Sequence, residues 1–136
     1  MFEIGGSKTL KSTPKDKVAV IGAGVTLHEA LKAYEELKKQ GIAVRVIDLY
    51  SVKPIDSATL ERAADETGKI LVVEDHRPEG GIAEAVRSCL IGSKTPVHSL
   101  SVTQMPRSGT PEELLDFEQI NAKAIVEKVN ELLRFV

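Results

Sequence analysis

The sequence predicts an α/β fold, an open and mainly parallel β-sheet with helices on both faces, forming a three-layer sandwich. Three observations carry that expectation. Short apolar runs of strand character alternate along the chain with segments of helical periodicity. Ile70-Leu71-Val72-Val73 is apolar at every position, as a strand covered on both faces requires. Glycines stand at the joints (Gly22 and Gly24, Gly41, Gly68, Gly80-Gly81), where a strand hands over to a helix or a helix stops.

The elements follow in order. Residues 1–17 are polar and broken by Gly5, Gly6 and Pro14, with Thr9-Leu10 as a short edge strand at most. Val18 to Ile21 is the first clear strand, and Gly22-Ala23-Gly24 its exit turn. Thr26 and Glu29 have the spacing of a capping box, which opens a helix with Leu27, Ala30, Leu31, Tyr34 and Leu37 on one face. Lys38 and Lys39 suit its negative end, and Gly41 closes it. Ile42 to Leu49 is the second strand. Pro54 excludes helix just before it, and Asp56 caps a helix carrying Leu60, Ala63 and Ala64 that Gly68 stops.

The strand Ile70–Val73 then delivers Glu74, Asp75, His76 and Arg77 to its carboxyl end. Gly80-Gly81 opens a helix with Ile82, Ala85, Val86, Cys89 and Leu90 at helical spacing. In Val97 to Val102 the alternation of Leu100 and Val102 with Ser99 and Ser101 places that strand nearer an edge. Thr110-Pro111-Glu112-Glu113 reads as a capping box for a short helix through Leu114 and Leu115. Asn121 reads as the cap of a separate final helix lined by Ile125, Val126, Val129, Leu132 and Leu133. No repeat or linker divides the chain, so residues 1–136 are expected to form one domain.

Bulk properties exclude several classes. With 42% hydrophobic and 28% charged residues, the composition is that of a soluble globular protein. A net charge of −2 gives no general pull toward nucleic acid or anionic membrane, and Lys8, Lys11, Lys15 and Lys17 read as a solvated face. No apolar run approaches membrane-spanning length and no signal-peptide layout opens the chain. The single cysteine, Cys89, rules out an intramolecular disulfide framework, suits the reducing cytoplasm, and reads as a packed helix residue rather than a nucleophile.

The chemistry-bearing residues gather at one sheet edge. Gly22-Ala23-Gly24-Val25-Thr26-Leu27 invites a dinucleotide reading with Asp48 as the ribose acid, but Leu27 stands where the fingerprint has its third glycine. A small-molecule module reading a nucleotide or sugar phosphate at this turn is the alternative function. His28, His76 and His98 lack metal-ligand spacing. Glu74, Asp75 and His76 could form an acid/base cluster, but neighbours on an extended segment point to opposite faces, so the three converge only with a bend and equally suit a partner surface. Arg77 and Arg107, near the Gly80-Gly81 helix start, suit an ion pair or an anion. These residues, Glu74, Asp75, His76, Arg77, Gly80, Gly81 and Arg107, form the candidate interface or anion edge.

Longer blocks carry a more specific signal. Asp16 to Leu31, Ile47-Asp48-Leu49 with Val52 to Asp56, Val73 to His76 with Glu79 to Val86, and Pro106 to Gly109 with Pro111 and Glu113 to Leu115 closely resemble the C-terminal domain of transketolase, in order and over nearly the whole chain. Arg77-Pro78 departs from the aromatic residues expected between the histidine and the glycines. The resemblance implies a Rossmann-like domain of an enzyme that transfers two-carbon ketol units between sugar phosphates. It implies that thiamin diphosphate and a divalent metal, Mg or Ca, are held by the preceding pyrimidine-binding and pyrophosphate-binding domains across a homodimer interface. No Gly-Asp-Gly with a downstream asparagine is present here, so no catalytic, cofactor-binding or metal residue carries over. The expected work is structural, with no activity alone. Met1 ahead of the family-like segment reads as a start placed at a domain boundary, or as a naturally split enzyme.

Overall fold

A computed structural model describes residues 6–51, 54–75, 81–102 and 110–134. Among the described residues the elements are β1 (Ser7–Lys11), β2 (Val18–Gly22), α1 (Val25–Lys39), β3 (Val44–Leu49), α2 (Ser57–Thr67), β4 (Ile70–Asp75), α3 (Ile82–Cys89), β5 (Val97–Val102) and α4 (Pro111–Arg134). The strands form a five-stranded sheet in the order β1-β3-β2-β4-β5. Neighbouring strands are parallel except β1, which runs antiparallel along the outer edge of β3. The fold is the open α/β sandwich that the sequence predicts, with the leading segment as an edge strand and the half-polar β5 at the opposite edge.

Side-chain alternation divides the core between the two faces. Val18 and Val20 of β2, Val44 and Val46 of β3, and Leu71 and Val73 of β4 pack with α1 and α4. Ala19 and Ile21, Ile47 and Leu49, and Ile70 and Val72 pack with α2 and α3. All four residues of the Ile70–Val73 run are fully buried, which is why a polar face never appears in it. Burial of each such side chain contributes about 1.5–3 kcal/mol.

Local chemistry sets the helix ends. At the end of α1 the Gly41 N–H bonds the Lys38 carbonyl at 3.0 Å and the Ile42 N–H that of Leu37 at 2.9 Å, a Schellman closure. The Asp56 carboxylate caps α2 by accepting from the Thr59 N–H at 3.1 Å, and it also takes hydroxyl hydrogen bonds from Thr59 and Ser7, both at 2.7 Å.

Two expected caps are overturned. Helix α4 runs unbroken from Pro111 to Arg134, so Asn121 lies inside it, 5% exposed, rather than capping a separate helix. Residues 114–121 contain neither glycine nor proline, and a side chain suited to capping does not break a helix whose neighbours favour continuing it. The capping box at Thr26 is also absent. Helix α1 starts at Val25 with Gly24 as its N-cap and no side-chain cap bond. Thr26 already lies within the first turn, and its hydroxyl bonds backwards, accepting from the Ala23 N–H and donating to the Ala23 carbonyl, both at 2.9 Å. Glu29 is a turn further on and turned inward, 1% exposed, with Oε2 at 3.8 Å from Lys32 Nζ.

Candidate functional site

The strand order reverses at β2, with β3 on one side and β4 on the other. In open α/β sheets the carboxyl ends of the strands flanking such a reversal form the crevice where ligands and partners dock. Here that places the Gly22-Ala23-Gly24 turn beside Glu74 and Asp75, the last residues of β4.

The glycine turn is accounted for by packing. A Cβ at Gly22 would lie 3.0 Å from the Leu27 nitrogen and 3.1 Å from Thr26 Oγ1, so glycine lets α1 approach the strand. Gly24 has φ +59 and open space around it, so its glycine serves the backbone turn. Thr26 engages the Ala23 N–H that a phosphate would need. Asp48, the acid of the dinucleotide reading, is half-buried on β3 and paired in register with Lys8 of β1. Burial raises its carboxyl above the ordinary range, with Lys8 opposing.

At β4 the geometry joins two of the sequence-predicted residues. Gly81 is the N-cap of α3 and has no side chain with which to cap it. Glu74 supplies the acceptor instead, with Oε1 at 3.0 Å from the Ala83 N–H. A carboxylate at a helix N-terminus answers both a free N–H and the positive dipole end. The negative charge is thus provided by the chain itself. Asp75 closes the strand opposite Val102 of β5. His76, Arg77, Gly80 and Arg107 lie outside the described residues.

Other candidates take their places singly. Cys89 is half-buried on α3, and burial, then Glu61 and Asp56, push its thiol up, away from reactivity. His28 is exposed on α1 and His98 half-buried on β5. Among the described residues no three His, Cys, Asp or Glu side chains are grouped to hold a metal ion. Among them, too, no helix is long and apolar enough to cross a membrane.

One polar cluster escapes the motif reading. Arg45 interrupts the apolar β3, and its Nε lies 3.1 Å from Asp16 Oδ2 while Nη1 lies 2.6 Å from Glu66 Oε1. The signal was a charge inside an apolar strand run, which demands a buried partner.

The model of the transketolase C-terminal domain matches residues 7–125. The chain belongs to the transketolase C-terminal domain family. It is 51% identical over 136 residues to transketolase-like protein 1 of Bos taurus and 47% identical over 134 residues to transketolase of Homo sapiens. In both cases the match covers 97% of this chain and 22% of the relative, so the chain spans about a fifth of the length of these curated relatives. Among solved structures, a chain described as a split gene transketolase, inactive β4 tetramer, matches at TM-score 0.76 and 34% identity, over 96% of this chain and 43% of that one. A transketolase from Campylobacter jejuni shares the fold at TM-score 0.62 and 21% identity, over 93% of this chain and 18% of its own.

Proposed function

We propose that this transketolase C-terminal domain is a non-catalytic assembly element of a transketolase. The observation that carries the reading is the carboxyl edge, where the polar groups hold the domain's own turns: Thr26 on Ala23, and Glu74 on the first turn of α3. An edge arranged that way presents a fixed surface to a neighbour and leaves the chemistry to other domains. The whole enzyme would transfer two-carbon ketol units between sugar phosphates in the cytoplasmic pentose phosphate pathway. Its thiamin diphosphate and divalent metal would be held by pyrimidine-binding and pyrophosphate-binding domains in a homodimer. Residues 1–136 would be a single domain packed on the pyrimidine-binding one, with Glu74, Asp75, His76, Arg77, Gly80, Gly81 and Arg107 at or near the contact. That a structural relative is itself described as an inactive β4 tetramer supports the absence of activity in this chain alone.

The test mixes the purified chain with a transketolase lacking this domain. A stable complex that restores dimer stability is the expected result. Ketol transfer by the chain alone, supplied with thiamin diphosphate and metal, would overturn the proposal.

A further inference from the structure

At the opposite, amino-terminal end of the sheet, a second polar feature has no part in the carboxyl edge. Lys69, just before β4, His98 on β5 and Lys128 on α4 line one open hollow of about 400 Å³, together with Pro96, Glu131 and Leu132. His98 lies on the face of β5 that carries Leu100 and Val102 toward α4, and is half-buried there. The charged groups around it are Lys69, Arg87 from α3, and Lys128 and Glu131 from α4. Among the described residues Lys69 forms no ion pair. Lys128 Nζ lies 3.7 Å from Glu131 Oε1, a loose pair whose carboxylate side chain is 58% exposed. Positive groups therefore outnumber the one carboxylate in a partly desolvated hollow.

We propose that this hollow binds a small tetrahedral dianion, a phosphate or phosphate monoester, between the Lys69 and Lys128 ammonium groups, with protonated His98 as a third donor. Three N–H donors around one hollow match the acceptor oxygens of such an anion. Pro96 and Leu132 offer an apolar wall for the carbon skeleton of an ester. The exposed Glu131 carboxylate swings away as the anion replaces it on Lys128. With the hollow empty, burial and then the surrounding cations Lys128, Lys69 and Arg87 hold the His98 imidazole below its ordinary value, Glu131 opposing. A bound dianion reverses part of that repulsion, so His98 takes up a proton on binding and affinity rises as pH falls through its titration.

The experiment titrates sulfate, and separately ribose 5-phosphate, into the chain at constant ionic strength balanced with chloride, following the His98 ring protons by NMR. Sulfate remains a dianion throughout, so any pH dependence belongs to the protein. The expected result is saturable binding with Kd on the order of 1 mM and a rise of about half a pH unit or more in the His98 midpoint. The Lys69→Gln/Lys128→Gln variant should bind roughly tenfold more weakly. Lys15→Gln/Lys17→Gln, with the same change in net charge at exposed positions elsewhere, should bind normally. Tighter binding of ribose 5-phosphate than of sulfate assigns the site to phosphate esters, and equal binding assigns it to the free anion. A non-saturating drift, or equal loss in both double variants, overturns the proposal.

Discussion

Arg45 Nε and Asp16 Oδ2 lie 3.1 Å apart, with side chains 6% and 0% exposed. Asp16 also accepts from the Thr13 N–H at 2.8 Å and the Thr13 hydroxyl at 2.7 Å, so one carboxylate ties the approach to β2 onto β3. Glu66 on α2, 51% exposed, takes the other side of the guanidinium. Without Asp16 the buried guanidinium keeps only the half-exposed Glu66 as a carboxylate partner, and the Thr13 N–H and hydroxyl lose their acceptor. Asp16→Ala should therefore destabilise the domain by about 3–5 kcal/mol, whereas Glu66→Gln should cost about 1 kcal/mol or less. Urea midpoints of the two variants check the ranking, and equal losses would contradict it.

The Asp56 cap makes stability depend on acid. Burial pushes its carboxyl up, but the Ser7 hydroxyl, the Thr59 hydroxyl and N–H, and the Arg62 charge outweigh it and leave the group below its ordinary value. A carboxyl depressed on folding contributes stability that is complete above its unfolded value, about 3.9. The contribution is lost as pH falls through the lower folded value. Asp56→Asn keeps a capping oxygen but cannot titrate, so its stability should fall less steeply between about pH 5 and pH 2 than that of the wild type. Thermal melts across that range read the difference. Asp56→Ala should lose about 1–2 kcal/mol at neutral pH.

Helix α4 separates two local readings of one sequence. If Asn121 were an N-cap, proline at the next position would occupy the first helical residue and fit there. Inside the continuous helix the same proline removes a hydrogen bond and clashes with the preceding turn. Ala122→Pro should cost about 3 kcal/mol or more, together with helical signal in circular dichroism. A variant as stable as the wild type would restore the two-helix description.

The fold was legible where the signal is periodic or purely steric. Four apolar residues in a row meant two covered faces at Ile70–Val73, alternating serines meant an edge at β5, and Asp56, Gly41 and Gly68 marked helix ends that need no distant partner. The misreadings share one cause. Thr26 and Asn121 are residue types that cap, and spacing alone cannot tell which nearby backbone group claims a short polar side chain. Thr26 turned back to Ala23 because Gly24 had already begun the helix. At the candidate edge, sequence named Glu74 and Gly81 but not their relation, since the cap spans nine residues and exists only once α3 has folded back onto β4.

Cys89 should behave as an inert thiol. Burial and the carboxylates of Glu61 and Asp56 keep it protonated beyond the ordinary cysteine range. Its reaction with a disulfide probe at pH 7.5 should be slower than that of an unhindered thiol, by about tenfold. The rate should still be climbing above pH 9. A plateau near neutrality would mean a thiolate that this geometry does not support.

Glu74 links the stability of the domain to its proposed docking. In the isolated chain Glu74→Ala removes the acceptor for the Ala83 N–H and should cost about 1–2 kcal/mol, with Glu74→Gln costing less because an amide oxygen still accepts. In a complete transketolase the same change loosens the first turn of α3 and the edge beside it. Asp75→Ala and Arg107→Ala should act on the contact more directly, weakening domain or dimer association by about 2–5 kcal/mol for a charge pair desolvated on assembly. Because the proposed role is assembly, turnover per remaining dimer should be little changed in all three variants. The measurement pairs the dimer dissociation constant from sedimentation with the ketol-transfer rate at saturating enzyme concentration. Collapse of turnover with dimerisation intact would place this edge in the active site and remove the assembly role.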